Sequence, residues 1–231
     1  MKNSIKKRAL KILNLKTLNR KNKPEFVKGI DLDVPKDEVY ILRMLIKTSF
    51  SDILIPKEYD WIRPIVEEAY LNQLKLNISQ PYCYVTIRSG EVKSTLDDEF
   101  HLDGFSMRVT HIPEQNYIWC DNLPTEYIVK PIKVNKKFSP FKHNIHLYIQ
   151  DKITKKDVIS YILTNCLYAI DTYVIHRRQK ITEPTNRCFI RISFTPIEIN
   201  DINNTQNPLL PTNYTQDGVS FRNTLKRFKI K

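Results

Sequence analysis

Glycine is scarce here, with 4 among 231 residues against 13 prolines. That balance excludes collagen-like repeats and the composition of a flexible linker. No Cys-x-x-Cys pair exists: Cys83, Cys120, Cys166 and Cys188 stand far apart. Neither a zinc knuckle nor a dense disulfide framework is therefore expected, and four buried free thiols are the expected state. No apolar run approaches the roughly 18 to 20 residues that a spanning helix requires, and the N-terminus lacks the continuous apolar core of a secretory signal. The expectation is a cytoplasmic chain with no transmembrane segment. No internal repeat is evident.

Acid is missing from both ends. Residues 1 to 24 hold nine Lys/Arg and no Asp/Glu, and residues 219 to 231 hold five and none. Removing those fourteen from the 37 basic residues leaves 23 against 25 acids, a net of −2 for residues 25 to 218. The formal charge of +12 thus belongs to the termini, not to the body. Such ends suit nucleic acid, an acidic partner or an anionic membrane surface, and they also serve solubility.

What is present divides the chain into three parts: a basic N-terminal helix and linker over 1–24, one domain over 25–199, and a polar loop with a basic tail over 200–231. Ile5, Ala9, Ile12 and Leu13 recur at helical spacing among lysines, which predicts a basic amphipathic helix over 4–18. Pro35 followed by Asp37 and Glu38, with Leu42, Leu45 and Ile46 as a buried face, predicts a second helix, and Pro64 opens a third that runs to Leu74. These form a helical scaffold over 30–78.

From Tyr82 the texture changes to β-branched and aromatic residues punctuated by Pro113, Pro124, Pro140 and Pro184. Strands are predicted at 82–88, 100–110, 116–121, 127–134, 143–149, 172–178 and 187–195, with a crossing helix over 157–167. The fold class expected is mainly β with flanking helices, the β core covering 82–196, and short strands at this spacing suggest a barrel or sandwich. The segment 200–217, rich in Asn, Thr and Pro, is expected to be a long surface loop.

On a strand, His101 and Asp103 point to the same face, where an imidazole nitrogen and a carboxylate oxygen can reach one metal ion. His176 follows on a later strand. Beyond it Cys188, Ile190, Ile192 and Phe194 form an apolar face, and Arg187, Phe189, Arg191 and Ser193 form the other. A cationic row on so apolar a strand needs a carboxylate or another anion, since an unpaired buried guanidinium is costly. Arginine meets a carboxylate with a planar two-pronged fork, and a hydroxyl two residues on adds a third hydrogen bond.

The order His101-x-Asp103, a His some seventy residues on, then Arg191-x-Ser193 resembles the Fe(II)/2-oxoglutarate-dependent dioxygenases with a double-stranded β-helix (jelly-roll, cupin-like) core. The likeness covers roughly residues 82 to 196. It implies that His101, Asp103 and His176 ligate Fe(II), and that Arg191 with Ser193 holds the distal carboxylate of 2-oxoglutarate. Arg187 is the rival for that role, being eleven residues after His176. The resemblance further implies oxidative decarboxylation of 2-oxoglutarate to succinate coupled to hydroxylation of a substrate. It also points to the strand of Tyr117 and Trp119 as lining the co-substrate or substrate pocket, with Arg108, Asn116 and Glu126 as further polar contacts; core packing is the competing role for both aromatics. The substrate stays open among a small molecule, a protein side chain and a nucleobase. Two other readings stand beside this one: a non-catalytic β-barrel protein attached by its basic ends to nucleic acid or an assembly, and a cupin-like barrel with another metal and no 2-oxoglutarate.

Overall fold

The computed structural model describes residues 23–77, 80–92, 98–103, 114–131 and 144–210. The helix expected over 4–18, the basic tail, and Arg108 lie outside these residues. Two antiparallel sheets dominate. The strands are β1 (Glu25–Gly29), β2 (Val39–Lys47), β3 (Tyr82–Val92), β4 (Gln115–Cys120), β5 (Thr125–Ile128), β6 (Ile159–Tyr161), β7 (Cys166–Asp171), β8 (Ile175–Arg178) and β9 (Thr185–Thr195). The helices described are α1 (Arg63–Lys75), entered through a 3-10 turn at Lys57–Ile62, and the short α2 (Ile145–Gln150).

The large sheet runs β1-β7-β4-β9-β3-β2 and the small one β6-β5-β8, with His101 bridging antiparallel to His176 at the β8 edge. From β3 onward the chain passes from the large sheet to the 98–103 segment of the small one, back to β4, across to β5 and β6, back to β7, across to β8 and back to β9. Sequence neighbours therefore face each other across a gap between the two sheets.

Strand alternation sorts the side chains into layers. On β9, Cys188, Ile190, Ile192 and Phe194 join Cys83, Val85 and Ile87 of β3 and Tyr117 and Trp119 of β4 in the main core. Ile65, Val66 and Ala69 of α1 cover that face. Their spacing of i, i+1 and i+4 makes one apolar side, and Pro64 is tolerated because it stands in the first turn. The outer face of the small sheet carries Phe100, Leu102, Ile128 and Ile175, closed by Ile145 and Ile149 of α2. Between the sheets, Ile118, Ile162, Ile170 and Val174 form a third cluster, with Tyr127 and Phe189 packed against it.

Three expected elements differ. Residues 39–47 form a strand, not a helix: Leu42, Leu45 and Ile46 fit a helical period, but Val39, Tyr40 and Ile41 favour the pleat, and pairing with β3 decides. A bulge with Arg43 at φ 46° turns the strand so that consecutive Met44, Leu45 and Ile46 are all buried. Residues 145–150 are helical where a strand was predicted, because the Asn144 side chain accepts the His146 N–H at 2.8 Å and caps the turn. Residues 157–167 yield β6 and the start of β7, joined through Asn165 at φ 53°, in keeping with their β-branched content. After β9 the chain is irregular but not merely superficial. Asn204 and Asn207 are buried, and Asn207 Nδ2 donates to the Leu45 and Leu54 carbonyls at 2.8 and 2.9 Å. Among the described residues no helix is long and apolar enough to cross a membrane.

Candidate metal centre

His101 and His176 sit directly opposite in the bridge, their backbones exchanging hydrogen bonds of 2.9 and 3.1 Å. A pair so joined projects its side chains to the same side, and the ring centroids lie 4.6 Å apart. Alternation brings Asp103 onto that side too. One ligand atom from each of the three residues lies within 4.8 Å of the others.

The rings are held by their far nitrogens. His101 Nδ1 bonds the Glu99 carbonyl at 2.8 Å, and His176 Nδ1 bonds the Val174 carbonyl at 2.9 Å, each two residues upstream. A carbonyl only accepts, so both Nδ1 atoms carry hydrogen and both Nε2 lone pairs are left for the common point. Asp103 Oδ2 lies 3.5 Å from His176 Nε2 and accepts a short hydrogen bond from Arg191 Nη1. Burial acts to raise the Asp103 carboxyl, but Arg191, His176 and His101 outweigh it and hold it well below the ordinary carboxylate range. It is a carboxylate at neutral pH. Two imidazoles and one carboxylate with an open side fit a divalent first-row metal.

Buried ion pairs fix the backbone that carries these ligands. Arg178 Nη2 meets Asp98 Oδ1 at 2.5 Å, and Arg177 Nε meets Glu126 Oε2 at 2.5 Å while its guanidinium lies 4.3 Å over the Phe100 ring. Consecutive residues of a strand face opposite ways, so Arg177 and Arg178 clamp the 98–103 segment from both sides of β8. His146 adds a third contact from α2: its Nδ1 lies 3.4 Å from the Leu102 N–H, and its ring stands 6.2 Å from that of His101.

A cavity of about 90 Å³ opens beside the three ligands, bounded by Thr86, Arg88, Thr125, Arg187, Phe189 and Arg191 among others. Arg187 Nε donates to the Asn122 carbonyl at 3.1 Å, Nη2 reaches Thr125 Oγ1 at 3.5 Å, and the guanidinium lies 4.8 Å over the Phe189 ring. The predicted row of Arg187, Phe189 and Arg191 thus faces the inter-sheet space.

Other expected contacts fall elsewhere. Tyr117 and Trp119 lie on the opposite face of the large sheet, in the main core under α1. Tyr117 Oη donates to Asn72 Oδ1 at 2.8 Å and Trp119 Nε1 to the Ile30 carbonyl at 2.8 Å, so both are packing anchors. Ser193 does not accompany Arg191 toward a ligand; its hydroxyl donates to Asn116 Oδ1 at 2.6 Å in a buried bond, which leaves Asn116 Nδ2 buried without a hydrogen-bond partner. Glu126 partners Arg177 and faces the far side of the small sheet. Asp98, Thr125, His146 and Arg178 were missed in the sequence. The one readable signal was the Arg177-Arg178 doublet in a strand, since a guanidinium on a buried face needs an acid partner.

No family model matches the chain, and no curated protein sequence matches it. Among solved structures it is similar to AviO1 from Streptomyces viridochromogenes Tue57, at 12% identity and a TM-score of 0.35 over 89% of this chain and 86% of that one. It is also similar to EvdMO1, at 13% identity and a TM-score of 0.33 over 76% of this chain and 40% of that one. At these identities and scores neither likeness identifies a family.

Proposed function

We propose that this protein is an Fe(II)/2-oxoglutarate-dependent oxygenase on a double-stranded β-helix, with His101, Asp103 and His176 as the iron ligands. The observation that carries the reading is the convergence of those three ligand atoms with both imidazoles oriented through Nδ1. The alternation of the chain between the two sheets from β3 to β9 supports it, since a long hairpin wound on itself makes a jelly roll of this kind.

Bound iron would supply oxygen activation coupled to decarboxylation of 2-oxoglutarate. The chain's own residues orient and exclude. Arg191 is engaged with Asp103, so it steers a metal ligand, and the distal carboxylate of 2-oxoglutarate falls to Arg187 with the Thr125 hydroxyl beside it. The Arg187 guanidinium lies 4.8 Å over the Phe189 ring, and its planar fork suits a bidentate carboxylate contact. Phe189, Ile118 and Val174 keep the inter-sheet side apolar, limiting water near the reacting C–H bond.

Anaerobic addition of Fe(II) and 2-oxoglutarate to the full chain tests this. A visible metal-to-ligand charge-transfer band is expected, absent in His176→Ala. Arg187→Ala should weaken 2-oxoglutarate by about tenfold or more, in line with the loss of a charge-assisted bidentate contact. An unchanged band in both variants would sink the assignment.

A further inference from the structure

The two edge strands of the large sheet are bordered differently. Along β2, Thr205 closes the edge, its Oγ1 accepting the Leu42 N–H at 2.9 Å and its own N–H meeting the Leu42 carbonyl at 2.8 Å. β1 has no such cover among the described residues. Instead a groove of about 490 Å³ runs between the end of β1 and α1, walled by Lys28, Gly29 and Ile30 on one side and by Trp61, Pro64 and Leu71 on the other. Pro64, Glu67, Glu68 and Leu71 stand at i, i+3, i+4 and i+7, so a single stripe of α1 faces it. Two features of the walls call for an occupant. The Trp61 indole N–H is buried without an acceptor among the described residues, and such a donor is costly until something accepts it. Gly29 has no positive φ, and a Cβ there would meet nothing within 4 Å, so neither strain nor crowding in the fold asks for glycine. Bare backbone beside open space admits a close neighbour.

We propose that this groove is the docking site of the chain's own residues 1–22. Three carboxylates line it, Asp60, Glu67 and Glu68, against the cations Lys28 and Arg63. Lys28 pairs with Glu68, and Arg63 with Asp60 and Glu67, but such surface pairs are weak, and the Asp60 and Glu67 side chains stay more than half exposed. Residues 1–22 bring eight Lys/Arg and no acid, with Ile5, Ala9, Ile12 and Leu13 at helical spacing to meet the apolar wall. Leu71 and Leu74 of α1, each about half exposed, are the surface that such a stripe covers. Asn3 and Asn14 carry acceptors for the Trp61 N–H. The lengths agree, since a helix over 4–18 runs about 22 Å beside roughly 20 Å of α1. The segment leads through Lys23 and Pro24 directly into β1, and residues 19–22 span up to about 14 Å, enough to turn back. So short a tether sets an effective concentration of about millimolar, and a modest contact then suffices. The groove lies on the α1 face of the large sheet, opposite the three candidate ligands, so the docking is independent of the oxygenase reading.

Limited trypsin digestion of the full chain, with cuts mapped by mass spectrometry, is the test, and a synthetic peptide of residues 1–24 gives the rate for a free segment. Cleavage within 1–22 is expected to be about tenfold or more slower than in the peptide, since proteolysis tracks the undocked fraction. Gly29→Leu fills the groove, and Glu67→Lys reverses a charge on its rim; faster cleavage within 1–22 in either variant, at an unchanged urea midpoint, supports the proposal. Cleavage of the wild type at the peptide's rate overturns it and leaves the segment to nucleic acid or a membrane. Protection unchanged in both folded variants overturns it, and protection that grows with protein concentration does so by giving the groove to a second copy. Should neither variant fold, carbodiimide cross-links in the wild-type monomer decide. Links from the lysines of 1–22 to Asp60, Glu67 or Glu68 support the docking, and their absence overturns it.

Discussion

His101 and His176 are joined twice over, by a pair of backbone hydrogen bonds at 2.9 and 3.1 Å and by rings whose centroids lie 4.6 Å apart. The strand pairing itself brings the candidate ligands together, so on the proposed reading metal affinity depends on the register of 98–103 against β8. Either His101→Ala or His176→Ala should lower Co(II) or Zn(II) affinity by at least about 100-fold, beyond the effect typical of outer-shell changes. The d–d spectrum of a Co(II) titration reads this directly, and a spectrum unchanged in intensity and shape would count against both ligands.

His146 should matter for the metal without touching it. Its Nδ1 faces the Leu102 N–H at 3.4 Å, between the two ligand positions 101 and 103. His146→Ala is expected to cost roughly tenfold in metal affinity, the size of an outer-shell loss, with the far-ultraviolet spectrum unchanged. Partial rescue by His146→Asn, which restores an acceptor, would separate positioning from bulk.

Two buried ion pairs separate stability from site integrity. Asp98→Ala leaves Arg178 buried without its carboxylate, and Glu114→Ala does the same to Arg43, whose Nη2 meets Glu114 Oε1 at 2.8 Å. Each should destabilise the fold by about 3–5 kcal/mol in urea denaturation. Asp98→Ala should also lower metal affinity, because the Arg178 clamp holds the segment bearing His101. Glu114→Ala, whose partner Arg43 sits in the bulge of the edge strand β2, should leave it intact in the folded fraction.

Acid should weaken the fold through Asp103. Its carboxyl titrates well below 3.8 in the folded state, so it contributes stability that is fully present above the unfolded value and is lost as the pH falls through the folded one. Urea midpoints should therefore drop on acidification from pH 5 toward pH 3. Asp103→Asn should be less stable than wild type at pH 6 and show a shallower loss over that acidic range. Parallel curves for the two proteins would contradict the role of the Arg191 and histidine contacts.

Thiol reactivity should follow burial. Burial pushes the Cys188 thiol up to about 12 and raises Cys83 and Cys120 as well, and these three side chains are buried. Cys166 is partly exposed. Native alkylation followed by peptide mapping should mark Cys166 first, with the other three reacting only after denaturation.

Much of the candidate site was legible because period-two alternation is a local property. It put His101 with Asp103, and Arg187, Phe189 and Arg191 on one face of β9, before any contact was known. Alternation could not say which face of β4 met the cavity, and so Tyr117 and Trp119 were assigned to the pocket when α1 covers them. Nor could it tell the contacts of the two arginines apart, Arg191 with Asp103 and Arg187 with Thr125 across the gap between sheets. The helix and strand errors at 39–47, 145–150 and 157–167 arose where apolar spacing fits both periods and a cap, a bulge or a pairing partner decides.

Residue order thus specified the chemistry of each position: which residues carry nitrogen, carboxylate or guanidinium, and which neighbours share a face. Long-range pairing decided the rest. Residues 101 and 176 become neighbours through a strand register and two buried ion pairs contributed by Asp98 and Glu126, and those energies depend on burial, which arises only once the two sheets close on each other.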